Sequence, residues 1–355
     1  MSVALDMTFA NRNRAGSGVY ARSLLAALRL RDDVTTWDVA GPTRSGLAGT
    51  LRWLLGGARS ALNQRRPDLV HCPAFVTPWL LPVPFVVTVH DAGVWRFPDD
   101  HPLEWRVYDR FLLTHRLRAA ARIIAGSDFA RGEVIDGYGL EADQVVTVQY
   151  GIDSRFFSAP ASQGSVISGP PRMLFPGAPV GHKNLGSVLE VMASAGPMTK
   201  LGQVGLDISG ARREDFPVQA AAIANLGLED RVRWLGHLDG AAMPALIESA
   251  ALVVYPSLYE GFGLPPLEAM AVGTAVVASD RGPLPELLGD AALLIDPTDL
   301  RQLAQALEAV LAGSELRNRL SAAGRERARL YTWAKCAERT LEVYRGVISE
   351  GAGRK

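Results

Sequence analysis

Short runs of branched and apolar residues, each closing on glycine, proline or a small polar residue and followed by a helical pattern, recur along the whole chain. This rhythm restricts the fold more than any other feature. The first half carries such runs at 3–9, 69–71, 85–91, 122–125 and 145–148; the second at 173–175, 206–210, 232–236, 251–255, 275–278 and 292–295. Runs this apolar suit strands covered on both faces, and alternation with helices implies parallel sheets. The predicted class is therefore α/β, with two Rossmann-like domains. The segment from Ser158 to Pro171, rich in Ser, Gly, Ala and Pro, separates the two sets and reads as a linker. The expected division is a first domain over 1–158, a linker over 159–171, a second domain over 172–335, and a C-terminal helix over 336–355 packing back on the first domain. A chain of 355 residues, 48% of them hydrophobic, is long enough to give each domain its own core.

Charge and cysteine content narrow the function. Lys+Arg and Asp+Glu both total 37, so no global charge marks a nucleic-acid binder. The two cysteines, Cys72 and Cys336, have no metal-ligand spacing around them, which argues against a zinc site or a disulfide framework. The N-terminus has no secretory pattern, and the apolar stretch from Phe75 to Val89 is interrupted by Pro78, Pro82 and Pro84. The expected location is the cytoplasm. Between Val39 and Pro67 there is no acidic residue, while Arg44, Arg52, Arg59, Arg65 and Arg66 share the segment with Leu51, Trp53, Leu54 and Leu55. Arginines over anionic head groups with Trp and Leu dipping below would give peripheral membrane contact; an ordinary surface helix has the same composition and is the plainer account.

Chemistry concentrates in residues 253–288. An apolar run ends in Tyr255-Pro256-Ser257, a glycine-bearing loop headed by Glu260 follows, and Pro265-Pro266 open a predicted helix with Glu268 in its first turn. A parallel strand delivers ligand residues at its carboxyl end, and a helix N-terminus offers unpaired N–H groups, so a phosphorylated ligand fits this junction. Three further places point the same way. Gly16-Ser17-Gly18 forms a loop before a helical pattern, where backbone can approach an anion. His71 and His90 each close a strand pattern, with Asp91 and a loop following His90. Lys183, in His182-Lys183-Asn184, precedes a helix, where its charge opposes the helix dipole and could instead neutralise a phosphate.

The run Glu260-Gly261-Phe262-Gly263-Leu264-Pro265-Pro266-Leu267-Glu268-Ala269-Met270-Ala271 resembles the signature of retaining glycosyltransferases of family 4. Seven residues between two glutamates prove little by themselves, since Glu133 and Glu141, and Glu342 and Glu350, are spaced alike. The match extends in order to Gly16–Tyr20, His90-Asp91, residues 148–153, His182-Lys183-Asn184 and residues 280–286. The resemblance implies the GT-B fold, two Rossmann-like domains facing across a cleft. It implies catalytic roles for Glu260, expected to contact the donor sugar, and for His90, facing donor and acceptor. It assigns Gly261, Phe262 and Gly263 to the sugar and diphosphate through their backbone, Glu268 to the ribose, and Lys183 and Gly18 to the phosphates. The partners are then a nucleotide-sugar donor, such as GDP-mannose, and a glycan or lipid-linked acceptor in bacterial surface polysaccharide or glycolipid assembly. No metal and no organic cofactor are expected, since no Asp-x-Asp triad occurs. One departure stands out: Ala178 follows Gly177 where many relatives have a phosphate-binding arginine. The rival readings are a catalytically silent GT-B protein, a sugar-nucleotide epimerase or a phosphorylase-like enzyme of the same fold, a two-domain sugar receptor, and a nicotinamide dehydrogenase; the last is weakened by the missing third glycine after Gly18.

Overall fold

The computed structural model describes residues 1–13, 16–41, 52–98, 103–158 and 170–352. The chain divides into two compact units, Met1–Gly151 with Tyr331–Lys355, and Ile152–Leu330. Residues 159–169 of the expected linker lie outside the described residues. The division falls at Gly151, seven residues ahead of the expected 158, and the physical reason is local. The turn Ser154–Phe156 lies against helix Leu264–Val272 of the second unit. At the other end the C-terminal helix begins at Trp333 rather than 336.

The first unit is a six-stranded parallel sheet: β1 (Ser2–Asp6), β2 (Thr35–Val39), β3 (Leu69–Cys72), β4 (Phe85–Thr88), β5 (Arg122–Ala125) and β6 (Val145–Thr147), in the order β2-β1-β3-β4-β5-β6. β1 stops at Asp6, short of the predicted residue 9. The Asp6 carboxylate accepts the Thr8 N–H at 3.0 Å and turns the chain out of the sheet. It also accepts the Trp53 indole N–H at 3.1 Å. Trp53 and Leu54 are buried with Ala58 against Val39, Val76 and Trp79. Two of the four apolar side chains that a membrane reading of the Arg44–Arg66 segment would sink into lipid, Trp53 and Leu54, are therefore spent on the protein core, while Leu55 is exposed; Arg44 and Leu51 lie outside the described residues.

His71 lies within β3 rather than at its end. Its Nε2 is 2.8 Å from Thr88 Oγ1 and its Nδ1 is 2.6 Å from the Tyr344 hydroxyl. Burial holds this imidazole down to a pKa of about 3, so it is neutral at pH 7. The contact fastens helix Trp333–Ala352 to the sheet, and the same helix packs along helix Gly16–Arg29. Arg345 reaches Asp33 and Arg122 reaches Glu350, both at 2.5 Å. These ties place the C-terminal helix in the first unit.

The second unit has β7 (Arg172–Pro176), β8 (Gly205–Ser209), β9 (Val232–Gly236), β10 (Leu252–Tyr255), β11 (Val276–Ser279) and β12 (Leu293–Ile295), also all parallel, in the order β12-β11-β10-β7-β8-β9. Helix Leu185–Ser194 buries Leu185, Val188, Leu189 and Met192, the spacing of one helical face, against the sheet. Each such aliphatic side chain contributes about 1.5–3 kcal/mol of burial free energy. Among the described residues no helix is long and apolar enough to cross a membrane.

Candidate active site

In an open parallel sheet, ligands bind outside the carboxyl ends of the two strands between which the chain reverses its winding. In the second unit those strands are β7 and β10, neighbours in space although separated in sequence. β7 runs into Gly177 and the turn Gly181–Lys183; β10 runs into the loop carrying Glu260. The sheet thus brings Lys183 to Glu260, with Nζ 2.5 Å from Oε1. The Tyr255 hydroxyl accepts from the same ammonium at 2.7 Å. An ammonium has three N–H donors, and these contacts use two.

The His182-Lys183-Asn184 motif has a structural logic. The His182 carbonyl accepts the Leu258 N–H at 2.7 Å. Asn184 sits in the left-handed conformation at φ 57° and donates to the Pro256 and Pro297 carbonyls at 3.2 and 2.8 Å. Asparagine tolerates that backbone and carries the amide that does the fastening. Loops following β7, β10 and β12 are stitched together around Lys183.

Gly263 precedes helix Leu264–Val272 with φ at +129°, and a Cβ there would meet Leu284 Cδ2 at 2.7 Å. Only glycine fits. Phe262 is buried. Pro265 and Pro266 open the helix as predicted, but proline has no N–H. Among the first four helical residues the amide donors are therefore those of Leu264 and Leu267, and the helix terminus offers an anion less than its position suggests.

Glu268 is the fifth residue of that helix, in its second turn rather than its first. Its carboxyl is pushed up to about 7, chiefly by burial and then by the nearby Asp153 charge, with Arg155 acting the other way. Arg155 is held by Asp153 at 2.7 Å. Asp153, Arg155, Tyr255 and Asn184 thus surround the predicted residues, and sequence reading gave none of them a role. A tyrosine closing a buried strand, with a polar tip at the ligand end, was the available signal for Tyr255.

The first unit holds Gly18 and His90. Gly18 lies inside the first turn of helix Gly16–Arg29, not in a loop before it. A Cβ at Gly18 would run into the Asn13 carbonyl oxygen, so packing alone requires glycine there. His90 follows β4. Its Nε2 is 3.2 Å from the Pro73 carbonyl and its Nδ1 2.8 Å from the Tyr150 hydroxyl. A carbonyl only accepts, so Nε2 carries the proton and Nδ1 accepts from Tyr150. Burial lowers the imidazole to about 4. His90 is therefore a neutral ring with both nitrogens engaged. Tyr20, two residues past Gly18, stands edge-on to it at 5.1 Å and packs 4.4 Å from Tyr150. Among the described residues no group of three or more His, Cys, Asp or Glu is placed to hold a metal ion.

Comparison with known proteins agrees with this architecture. The family profile of the glycosyl transferases group 1 matches residues 161–327, and that of glycosyltransferase family 4 matches residues 16–156. The chain is 31% identical over 291 residues to the O-antigen chain mannosyltransferase B of Escherichia coli, covering 80% of this chain and 76% of that protein. It is 28% identical over 349 residues to the MMP α-(1→4)-mannosyltransferase of Mycolicibacterium hassiacum, covering 92% and 80%. Among solved structures, sucrose-phosphate synthase from Thermosynechococcus elongatus superposes with a TM-score of 0.81 at 20% identity over 99% of this chain and 100% of that one. Anabaena HepE in complex with UDP and glucose superposes at 0.77 with 18% identity, over 98% and 100%. Two parallel sheets with Lys183 and Glu260 at the reversal of the second, together with family profiles spanning both units, place this chain in the family 4 glycosyltransferases of GT-B fold.

Proposed function

We propose that this glycosyltransferase moves a hexose from a nucleoside-diphosphate sugar to a glycan or lipid-linked acceptor in bacterial polysaccharide or glycolipid assembly, with retention at the anomeric carbon. A GDP-mannose-like donor is the reading favoured by the mannosyltransferase relatives. The observation that carries the proposal is the Lys183–Glu260 pair beside Tyr255 at the sheet reversal.

In the reaction the bond between the sugar C1 and the diphosphate oxygen breaks, and the acceptor oxygen bonds to C1 on the same face. The acceptor's proton leaves with the nucleoside diphosphate, whose negative charge grows as the bond breaks. Lys183, with one N–H donor beyond its two contacts, is the cation suited to that charge, supplemented by the backbone amides of Gly261, Phe262 and Gly263. Glu260 orients Lys183 and is positioned to accept sugar hydroxyls. Glu268, as a carboxylate, is suited to the paired ribose hydroxyls. Gly18 contributes backbone near the phosphates. His90, neutral and doubly engaged, contributes a fixed ring surface rather than a proton. No metal or organic cofactor enters this scheme, because charge is met by Lys183 and amides.

Calorimetry and turnover over a panel of GDP-, UDP- and dTDP-sugars test the reading. Binding and transfer with one class, at their strongest with GDP-mannose, is the expected result; binding of none removes the proposal. Turnover of a bound donor to its epimer without transfer would favour an epimerase instead.

A further inference from the structure

A diphosphate spreads its charge over two phosphoryl groups, and Lys183 has one N–H donor beyond Glu260 and Tyr255 to offer them. Ala178, on the loop that leads from β7 to Lys183, carries no charge. What stands beside Ala178 is the segment that follows β8. The Gly177 N–H donates to the Ser209 carbonyl at 3.0 Å, carrying the pairing of β7 and β8 past the strand ends. A Cβ at Gly210 would lie 3.2 Å from Gly177 Cα, so the two loops touch backbone to backbone. On the other side of Ala178, the Pro179 carbonyl accepts the Gln219 side-chain N–H at 3.0 Å. Ala178 is thus held between two fasteners to residues 209–219, and Arg212 lies on that segment.

Arg212 combines a fixed base with a free head. Beneath it the Gly210 N–H donates to the Gly236 carbonyl at 2.8 Å, and the Gly236 N–H donates to the Ala211 carbonyl at 3.1 Å. Gly236 closes β9 and leaves room for the arginine stem, since a Cβ there would stand 3.8 Å from Arg212 Cγ. The residue is exposed, and among the described residues its guanidinium has neither a hydrogen-bond nor a carboxylate partner. Glu214 and Asp215, which follow in the chain, do not pair with it. Other arginines of the second unit near strand ends are tied: Arg213 to Glu229 at 3.4 Å, Arg155 to Asp153 at 2.7 Å and Arg281 to Asp296 at 3.0 Å.

We propose that Arg212 binds the diphosphate of the donor as the second cation beside Lys183, in the role that uncharged Ala178 leaves open. The inference rests on the donor reading above and adds a residue to it. Neighbouring strands lie about 4.8 Å apart, a distance that an arginine stem spans, so a guanidinium rooted after β8 reaches the mouth of β7. Its planar fork gives two parallel N–H groups to paired phosphate oxygens, whereas Lys183 acts as a point charge. An unpaired arginine on an ordinary convex surface needs no ligand. Arg212 differs in standing at the ligand end of the sheet, on a loop bonded to its neighbours on both sides.

The test is calorimetry of the full chain with GDP and UDP, using guanosine and uridine as phosphate-free controls. Arg212→Ala is expected to weaken the diphosphate by about tenfold or more, to leave the nucleoside unchanged and to keep the thermal unfolding temperature. Its diphosphate affinity is expected to depend less steeply on salt than that of wild type. A second variant tests the pairing of positions. In an Ala178→Arg/Arg212→Ala chain, an arginine returns to the neighbouring loop, and most of the lost diphosphate affinity is expected to return with it. The inference fails if Arg212→Ala binds the diphosphate as tightly as wild type, if it loses diphosphate and nucleoside equally, or if the double variant recovers nothing. Failure of the donor reading looks different: wild type itself would then bind neither diphosphate.

Discussion

Tyr255 accepts a hydrogen bond from Lys183 at 2.7 Å, and the same ammonium stands 4.8 Å from the centre of the Tyr255 ring. The tyrosine closes β10 and the lysine follows β7, so the pairing exists because the sheet makes those two strands neighbours. Together with Glu260, Tyr255 therefore fixes the charge at the end of a flexible four-carbon stem.

Replacing Tyr255 by Phe keeps the ring and removes the acceptor. A hydrogen bond to a charged group contributes about 1.5–3 kcal/mol. The expected outcome is roughly a tenfold or greater loss in kcat/KM, carried mainly by weaker nucleoside-diphosphate binding, with the unfolding midpoint nearly unchanged. Lys183→Ala is expected to lose about a hundredfold or more in kcat and to weaken the nucleoside diphosphate more than the nucleoside. Steady-state kinetics and calorimetry check both, and equal loss for diphosphate and nucleoside would contradict the phosphate contact.

Glu268 gives the site a pH dependence. Its carboxyl titrates at about 7 when folded, against 4.5 as the ordinary value. The folded state therefore holds the proton more tightly, and this group's contribution to stability falls as pH rises through that window. Ribose hydroxyls need the carboxylate as acceptor, so nucleotide affinity is expected to rise by about tenfold from about pH 6 to about pH 8, with proton release on binding. Calorimetry in buffers of different ionisation enthalpy measures that release. Glu268→Gln should flatten the profile; an unchanged profile in that variant would assign the pH dependence to another group.

Tyr150 is predicted to position His90. Without the Tyr150 hydroxyl only the 3.2 Å contact to the Pro73 carbonyl holds the proton on Nε2, and Tyr150→Phe should show a larger share of the other tautomer by nitrogen NMR. Gly126 gives a second handle, since a Cβ there would sit 2.6 Å from Cζ of the Tyr150 ring. Gly126→Ala should displace that ring and reproduce the effect on His90. Both variants are expected to lower kcat by about tenfold with little change in donor KM. Wild-type tautomer signals in Tyr150→Phe would remove the positioning role.

Gly263 is predicted to be irreplaceable for stability as well as for the loop. Its φ of +129° and the 2.7 Å approach to Leu284 mean that Gly263→Ala carries both backbone strain and overpacking. A loss of about 2–4 kcal/mol is expected in urea denaturation. A change under about half a kcal/mol would show that the loop relaxes freely.

The sequence by itself determined the class of fold and most of the strand positions. Residues such as 252–255 and 276–278 are apolar runs bounded by turn residues, and that pattern is local, so it survives without tertiary information. It also determined the family, because the run from Glu260 to Ala271 must satisfy a strand end, a glycine with forbidden backbone and a helix start within a few residues. Other features depended on residues distant in the chain. Glu268 and Asp153 come together only where the turn Ser154–Phe156 meets helix Leu264–Val272. Tyr255 met Lys183, and Tyr150 met His90, through strand order, which periodicity does not encode. Burial settled the arginine-rich segments in the same way: Trp53 and Phe111 look alike as aromatic residues among arginines. Contact with Asp6 drew one into the core, and the absence of a comparable cover left the other 66% exposed. The physical reason is that a side chain's environment is set by what the fold brings against it, and sequence spacing fixes only the face from which it starts.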